Sequence, residues 1–142
     1  MVSGPVNQHA EELKALYQNH PQVQIHENVS SMKELMQTCD VMITAAGSTV
    51  YEAAALGIPM ICFYFVENQR RIAEYFDKNT YVINCGDYSQ NQELVCDNLT
   101  DAVIRCVYGR DTRRELFEQE KKIVDGLGAK KIAEKLIEKM SK

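Results

Sequence analysis

Apolar positions along this chain follow two rhythms, and the alternation between them sets the expected fold. Residues 8–18 place Ala10, Leu13, Leu16 and Tyr17 at helical spacing, and Pro21 ends that segment. Val23 to His26 alternate as a short strand, Asn28 to Ser30 form a loop, and Ser31-Met32-Lys33-Glu34 fits a capping box opening a helix to about Cys39. Val41 to Thr44 is a compact apolar strand. A helix over Gly47–Leu56 follows and is closed by Gly57 and Pro59.

Met60 to Phe65 is the most apolar run and reads as a central strand buried on both faces. Asn68 is placed to cap the next helix, whose inward positions are Ile72, Ala73 and Phe76. Tyr81 to Ile83 forms another strand, ended by Gly86-Asp87. Helices are then expected over about 99–108, 112–125 and 129–141, the last burying Ile132, Ala133, Leu136, Ile137 and Met140. Strands alternating with helices, then terminal helices, predict an α/β fold: a doubly wound, Rossmann-like parallel sheet. Met1 to Pro5 looks like the tail of a strand. Residues 1–142 are therefore expected to be one domain lacking its first strand, part of something larger.

Composition narrows the partners. The chain has 142 residues and a net charge of −4, which disfavours duplex DNA and anionic membranes because both select a basic face. No apolar run approaches the ~20 residues of a bilayer span, so direct membrane insertion is not expected. Cysteines number 5, an odd count with no C-x-x-C pair, which reads as reduced thiols in a cytoplasmic protein. The 3 histidines lack metal-ligand spacing, so neither a metal nor a cofactor is expected.

In open α/β sheets, ligands bind beyond the carboxyl ends of the strands. Three loops fall there: His26–Ser31, Ala45–Thr49 and Val66–Gln69. In the second, small residues lead into a helix whose first N–H groups lack partners and carry partial positive charge. Ala46, Gly47, Ser48 and Thr49 could cradle a diphosphate, or could simply start a helix. There is no P-loop pattern and no nearby lysine. Glu52 shares a helix face with Ser48 and Thr49. It could accept both hydroxyls of a ribose, or complete a capping box with Thr49. Gln69 has donor and acceptor capacity suited to sugar hydroxyls. Asn28 and Val29 could present backbone groups to a flat base. Arg70-Arg71 could face solvent or neutralise phosphate. No nucleophile elbow and no paired histidine occurs in these loops, so the pattern is a binding half-site without a general base.

The run Ile43–Pro59, with Glu67-Asn68-Gln69 after it, resembles the C-terminal half of nucleotide-sugar enzymes of the GT-B fold. Its nearest likeness is to the PseG group of UDP-sugar hydrolases and the spore-coat polysaccharide proteins, and more distantly to the MurG N-acetylglucosaminyltransferases. Asp125-Gly126-Leu127-Gly128-Ala129 is similar to a late D-G-x-G-A segment of the PseG group. The resemblance implies that Gly47, Ser48 and Thr49 hold the UDP diphosphate, Glu52 takes the ribose diol, Asn68 and Gln69 contact the sugar, and Asn28–Val29 flanks uracil. It also implies a catalytic histidine on a separate N-terminal domain, to which nothing in this sequence corresponds. The expected partners are thus a UDP-sugar and an N-terminal half-domain or partner subunit. The chain alone should be inactive, and self-association through apolar surface is a further expectation. Its rivals are the donor-binding half of a glycosyltransferase and a non-catalytic nucleotide-sugar-binding module.

Overall fold

The computed structural model describes residues 1–4, 7–79 and 82–140. Pro5, Tyr81 and Ser141, each placed in or beside an expected element, lie outside the described residues. The chain divides into two compact units, Met1–Leu35 and Met36–Lys142.

In the first unit, β1 (Val2–Ser3) pairs in parallel with β2 (His26–Glu27), joined by α1 (Ala10–Tyr17). The β2 strand is shorter than the apolar alternation predicts and begins only at His26. Val23 is instead drawn into a turn, its amide donating to the carbonyl of His20 at 3.0 Å. Lys14 reaches from α1 to Glu27 at 2.7 Å and also meets Glu11 at 2.9 Å.

The second unit holds the core. Helix α2 (Met32–Met36) leads into it. Its expected capping box is half formed, since the Glu34 amide donates to Ser31 Oγ at 3.3 Å. Strands β3 (Met42–Ala45), β4 (Met60–Tyr64) and β5 (Val82–Asp87) form a parallel sheet in the order β3-β4-β5. Parallel neighbours need crossovers, and α3 (Thr49–Leu56) and α4 (Glu67–Lys78) supply them. The fold is thus a parallel α/β sheet flanked by helices, as the sequence pattern predicts.

Strand β4 is central. Met60, Ile61 and Cys62 are buried, and the shorter half-buried run Phe63–Tyr64 continues toward the strand end. Helix α3 buries Val50, Ala53 and Ala54, which fall on one face at i, i+3 and i+4. It stops at Gly57, where φ is +70°. There the Ile58 amide returns to the carbonyl of Ala53 at 3.1 Å, a left-handed cap that disfavours any side chain. Helix α4 buries Ala73 and Phe76, and Tyr51 of α3 meets the Phe76 ring edge-on at 5.3 Å. Burial of a residue such as Phe76, Met60 or Ile61 is worth about 1.5–3 kcal/mol each.

Helices α5 (Gln92–Tyr108), α6 (Arg110–Ile123) and α7 (Gly128–Met140) complete the chain. Helix α5 starts well before the expected position near 99, because Asn91 caps it: its Oδ1 accepts from the Leu94 amide at 3.0 Å. Strand β5 runs on through Gly86 to Asp87, with a register slip opposite Cys62–Tyr64 that admits an extra residue at Gly86, φ +105°.

Two expectations are corrected. Asn68 does not cap α4. Val66 holds the cap position in extended conformation, and Asn68 falls inside the first turn. Helix α7 buries none of its side chains, so Ile132, Leu136, Ile137 and Met140 lie exposed instead of in the core. The helical spacing holds, but it marks a face that the described chain leaves exposed.

Candidate functional site

Strands β3 and β4 end side by side. The Ala46 amide donates to the carbonyl of Phe63 at 2.9 Å, extending the ladder one residue beyond β3. On the other side of β4, the Tyr88 amide donates to the carbonyl of Tyr64 at 2.7 Å. The segments after β3 and β4, residues 46–49 and 65–69, therefore begin at neighbouring points on the carboxyl edge of one sheet, where α/β folds bind ligands.

The first segment makes a tight turn. Ala46 is fully buried, and the Gly47 amide folds back onto the carbonyl of Ala45 at 2.7 Å. The carbonyls of Gly47 and Ser48 accept from the amides of Val50 and Tyr51 at 3.2 and 3.0 Å, which starts α3. Among the described residues, the amides of Ser48 and Thr49 have no such acceptor. Of the three amides expected to face an anion, Gly47's is thus internally satisfied, and those of Ser48 and Thr49 remain. They sit at the positive end of the helix.

Gly47 has a further property. Its φ is not positive, and a methyl group built on its Cα meets nothing within 4 Å. Neither backbone strain nor the protein's own packing demands glycine there. The open space in front of its Cα is what close approach by an external group requires.

Ser48 holds the N-cap position of α3 without a side-chain capping bond, and Thr49 is already helical. A capping box with Thr49 as the cap is therefore not formed. Glu52 is exposed, and among the described residues its carboxylate has neither hydrogen bond nor ion pair. It stands one turn beyond the free amides, on the face that Ser48 and Thr49 share.

In the second segment, Gln69 Oε1 accepts from the Phe65 amide at 3.3 Å, which ties the loop to the first turn of α4. The carboxamide nitrogen of Gln69 keeps its donors. Asn68 is exposed beside it. Arg70 is held on its own helix, forked onto Glu67 at 2.8 and 2.9 Å and touching Glu74 at 3.3 Å. Arg71 lies 3.8 Å from the same Glu67. The Arg70 guanidinium holds the Glu67 carboxyl below its usual range. Both arginines are thus paired with carboxylates along α4.

The adjoining ends of β4 and β5 add residues the sequence did not single out. Burial first, then the neighbouring Asp87 carboxylate, raises the Tyr64 hydroxyl above the ordinary tyrosine range. Asp87 Oδ1 accepts from the amide and hydroxyl of Ser89 at 2.9 and 2.6 Å. The signal was present in the D-Y-S run after an apolar strand, but Gly86 reads as a terminator rather than as a bulge within β5.

Asn28 and Val29 belong to the first unit, directly after β2. Asn28 adopts a left-handed φ of +49°, a conformation that asparagine tolerates better than most residues, and is exposed. Val29 is half-buried. The Asp125 segment forms a turn: the Leu127 amide donates to Asp125 Oδ1 at 2.9 Å, Lys131 pairs with Asp125, and Gly126 takes φ +71°. No helix among the described residues is long and apolar enough to cross a membrane.

A parallel α/β sheet with its crossover helices, and a helix start with free amides at the carboxyl edge, is a Rossmann-like arrangement. The family can be stated: residues 1–138 match the glycosyltransferase family 28 C-terminal domain, and the chain belongs to that family. It is 29% identical over 128 residues to the spore coat polysaccharide biosynthesis protein SpsG of Bacillus subtilis, covering 89% of this chain and 37% of that protein. It is 27% identical over 131 residues to the UDP-N-acetylglucosamine--N-acetylmuramyl-(pentapeptide) pyrophosphoryl-undecaprenol N-acetylglucosamine transferase of Pasteurella multocida, covering 90% of this chain and 36% of that enzyme. An uncharacterized protein of Methanocaldococcus jannaschii is 40% identical over 73 residues, 49% of this chain and 15% of its own length. The chain thus spans little more than a third, or less, of these relatives. No solved structure matches it significantly.

Proposed function

We propose that this chain is the nucleotide-sugar-binding half of a UDP-sugar hydrolase resembling the PseG group, acting in surface-polysaccharide or nonulosonic acid biosynthesis. The observation that carries this reading is the α3 start: two unpaired amides at Ser48 and Thr49, open space at Gly47, and an unengaged Glu52 one turn on. In this reading the diphosphate sits against those amides and hydroxyls, and Glu52 accepts the two ribose hydroxyls. Asn68 and Gln69 meet the sugar, and the backbone at Asn28–Val29 flanks the base. The reaction replaces UDP on the anomeric carbon with water. The chain's own residues bind and orient the nucleotide; the proton-transfer group comes from a separate N-terminal half-domain or subunit. Two of the relatives are nearly three times as long as this chain's match to them, so the matched segment is one part of each of those proteins.

A second reading has its own support. The family and the Pasteurella relative are named for glycosyl transfer, in which an acceptor hydroxyl takes the place of water.

Calorimetric titration with UDP, UDP-sugars and ADP tests the shared core of both readings. UDP should bind more tightly than ADP, and Glu52→Ala should weaken UDP by tenfold or more. A preference for ADP, or affinity indifferent to Glu52, would remove the assignment. Product analysis with the N-terminal partner supplied separates hydrolysis from transfer.

A further inference from the structure

At the amino ends of β3 and β4, opposite the site above, lies an open cavity of about 420 Å³. Its wall includes Leu56 and Ile58 from the end of α3, Asp40 ahead of β3, and Arg110, Arg113, Arg114 and Phe117 from α6. The three arginines occur at i, i+3 and i+4, so one face of α6 carries all of them. The chain as a whole is acidic, at −4, which makes this concentration of cations a local feature and not a bulk trend.

Only one of these arginines is accounted for by the fold. Helices α5 and α6 meet at Gly109, where a side-chain carbon would stand 2.3 Å from the carbonyl of Arg105; the junction requires glycine. Across that junction Arg113 donates to the carbonyls of Cys106 and Val107, the latter at 3.0 Å, and so caps the last turn of α5. Arg110 and Arg114 have no such task. Among the described residues neither forms an ion pair, and Asp40, though it lines the same cavity, is not bridged to either. Both stand in the first turns of α6, at the positive end of the helix, where cations are unfavourable and an anion is favoured. Two guanidiniums without ion pairs, a helix start and the apolar side chains of Leu56, Ile58 and Phe117 thus share, with the Asp40 carboxylate, one mixed-polarity cavity of the size that small ligands occupy.

We propose that this cavity binds a small soluble phosphorylated molecule. Arg110 and Arg114 engage the phosphoryl group, the pinned Arg113 fixes the depth of the site, and Leu56, Ile58 and Phe117 receive the carbon skeleton. The site is independent of the nucleotide reading, because it lies at the other end of the strands.

Phenyl phosphate is a suitable probe, titrated into isotopically labelled chain while backbone amide shifts are followed. The expected result is a saturable response centred on Gly57 and residues 109–114. It should weaken at least tenfold in the Arg110→Ala/Arg114→Ala double variant and stay unchanged in Glu52→Ala. Both arginines are exposed helix positions where alanine folds well, and an unchanged spectrum elsewhere verifies this. The proposal is overturned by shifts confined to residues 46–52, by a double variant that binds as well as the parent, or by no saturation up to about 10 mM. Sedimentation with phosphatidylglycerol vesicles separates the two sources of phosphate. The chain should stay in the supernatant, and arginine-dependent co-sedimentation would reassign the site to a lipid surface. If UDP fails to bind at α3 while phenyl phosphate binds here, the nucleotide reading falls and this one stands.

Discussion

The amide of Ala46 donates to the carbonyl of Phe63, 2.9 Å away, and this one bond aligns the ends of β3 and β4. Everything proposed for the nucleotide site depends on that alignment. It brings the turn before α3 and the turn before α4 out of the sheet at neighbouring points.

Glu52 is predicted to matter for binding and not for folding. Its carboxylate is exposed and has no partner among the described residues, so Glu52→Ala should shift stability by no more than about 0.5 kcal/mol. The same substitution should weaken UDP by about 1–3 kcal/mol, the range for a charge-assisted hydrogen bond. Thermal melts with and without UDP read both effects on one sample. A variant that melts several degrees lower without ligand would make Glu52 a structural residue.

Gly47→Ala gives a sharper dissection. Nothing in the fold opposes a methyl group there, so the apo protein should be as stable as the parent or slightly more so. A ligand approaching the Ser48 and Thr49 amides would meet that methyl. UDP affinity should therefore fall while the melting temperature without ligand holds. Unchanged affinity would place the diphosphate elsewhere.

Glu120 on α6 gives a prediction about pH. It is completely buried (0% exposed), and among the described residues neither carboxylate oxygen has a hydrogen-bond partner. Burial pushes its pKa from the ordinary 4.5 up to about 9, opposed only by the Met60 backbone amide. The folded state therefore holds a proton that the unfolded state releases above its own pKa. Stability is fully present below about pH 4.5 and declines as pH rises toward 9, with a slope approaching 1.4 kcal/mol per unit if this group acts alone. Glu120→Gln cannot ionise, so it should flatten that slope and melt higher than the parent at pH 8. Equal melting temperatures at pH 8 would show that Glu120 is solvated or paired.

Thiol chemistry should split the five cysteines. Cys39 and Cys96 are exposed, whereas Cys62, Cys85 and Cys106 are buried. Desolvation, the leading cause in each case, raises the Cys62 thiol to about 12, the Cys85 thiol to about 11, and that of Cys106 also upward. A maleimide should label Cys39 and Cys96 in the native chain and the remaining three only after denaturation. Mass spectrometry of peptides reads the difference, and rapid native labelling of Cys62 would contradict the packing of β4.

The parts of the fold that were legible in sequence share one trait: local chemistry and tertiary burial agree. Ile61 and Cys62 are apolar and sit in a central strand. Gly57 follows an alanine-rich run and caps it. Where the two disagree, the sequence misleads. Asn68 is a good cap residue, but the extended backbone before α4 puts Val66 at the boundary. Leu136 and Ile137 have core spacing, yet spacing says only that a face is apolar and not what covers it. The first turns of α5 are illegible in the sequence because Gln92, Glu93 and Asp97 surround the few apolar positions, and the cap at Asn91 shows only in the structure. At the site, the residue types at 46–52 and 68–69 were readable. Which amides remain free was not, since that depends on the fold-back of Gly47 onto Ala45.

The seam between α6 and α7 is a short turn at Asp125–Gly126–Leu127, and the helix beyond it contributes no buried side chain. Sparing digestion by a protease that cuts at this turn should release a peptide containing the 13-residue helix. The trimmed remainder should keep the parent's denaturation midpoint, leaving its final helix dispensable to the sheet.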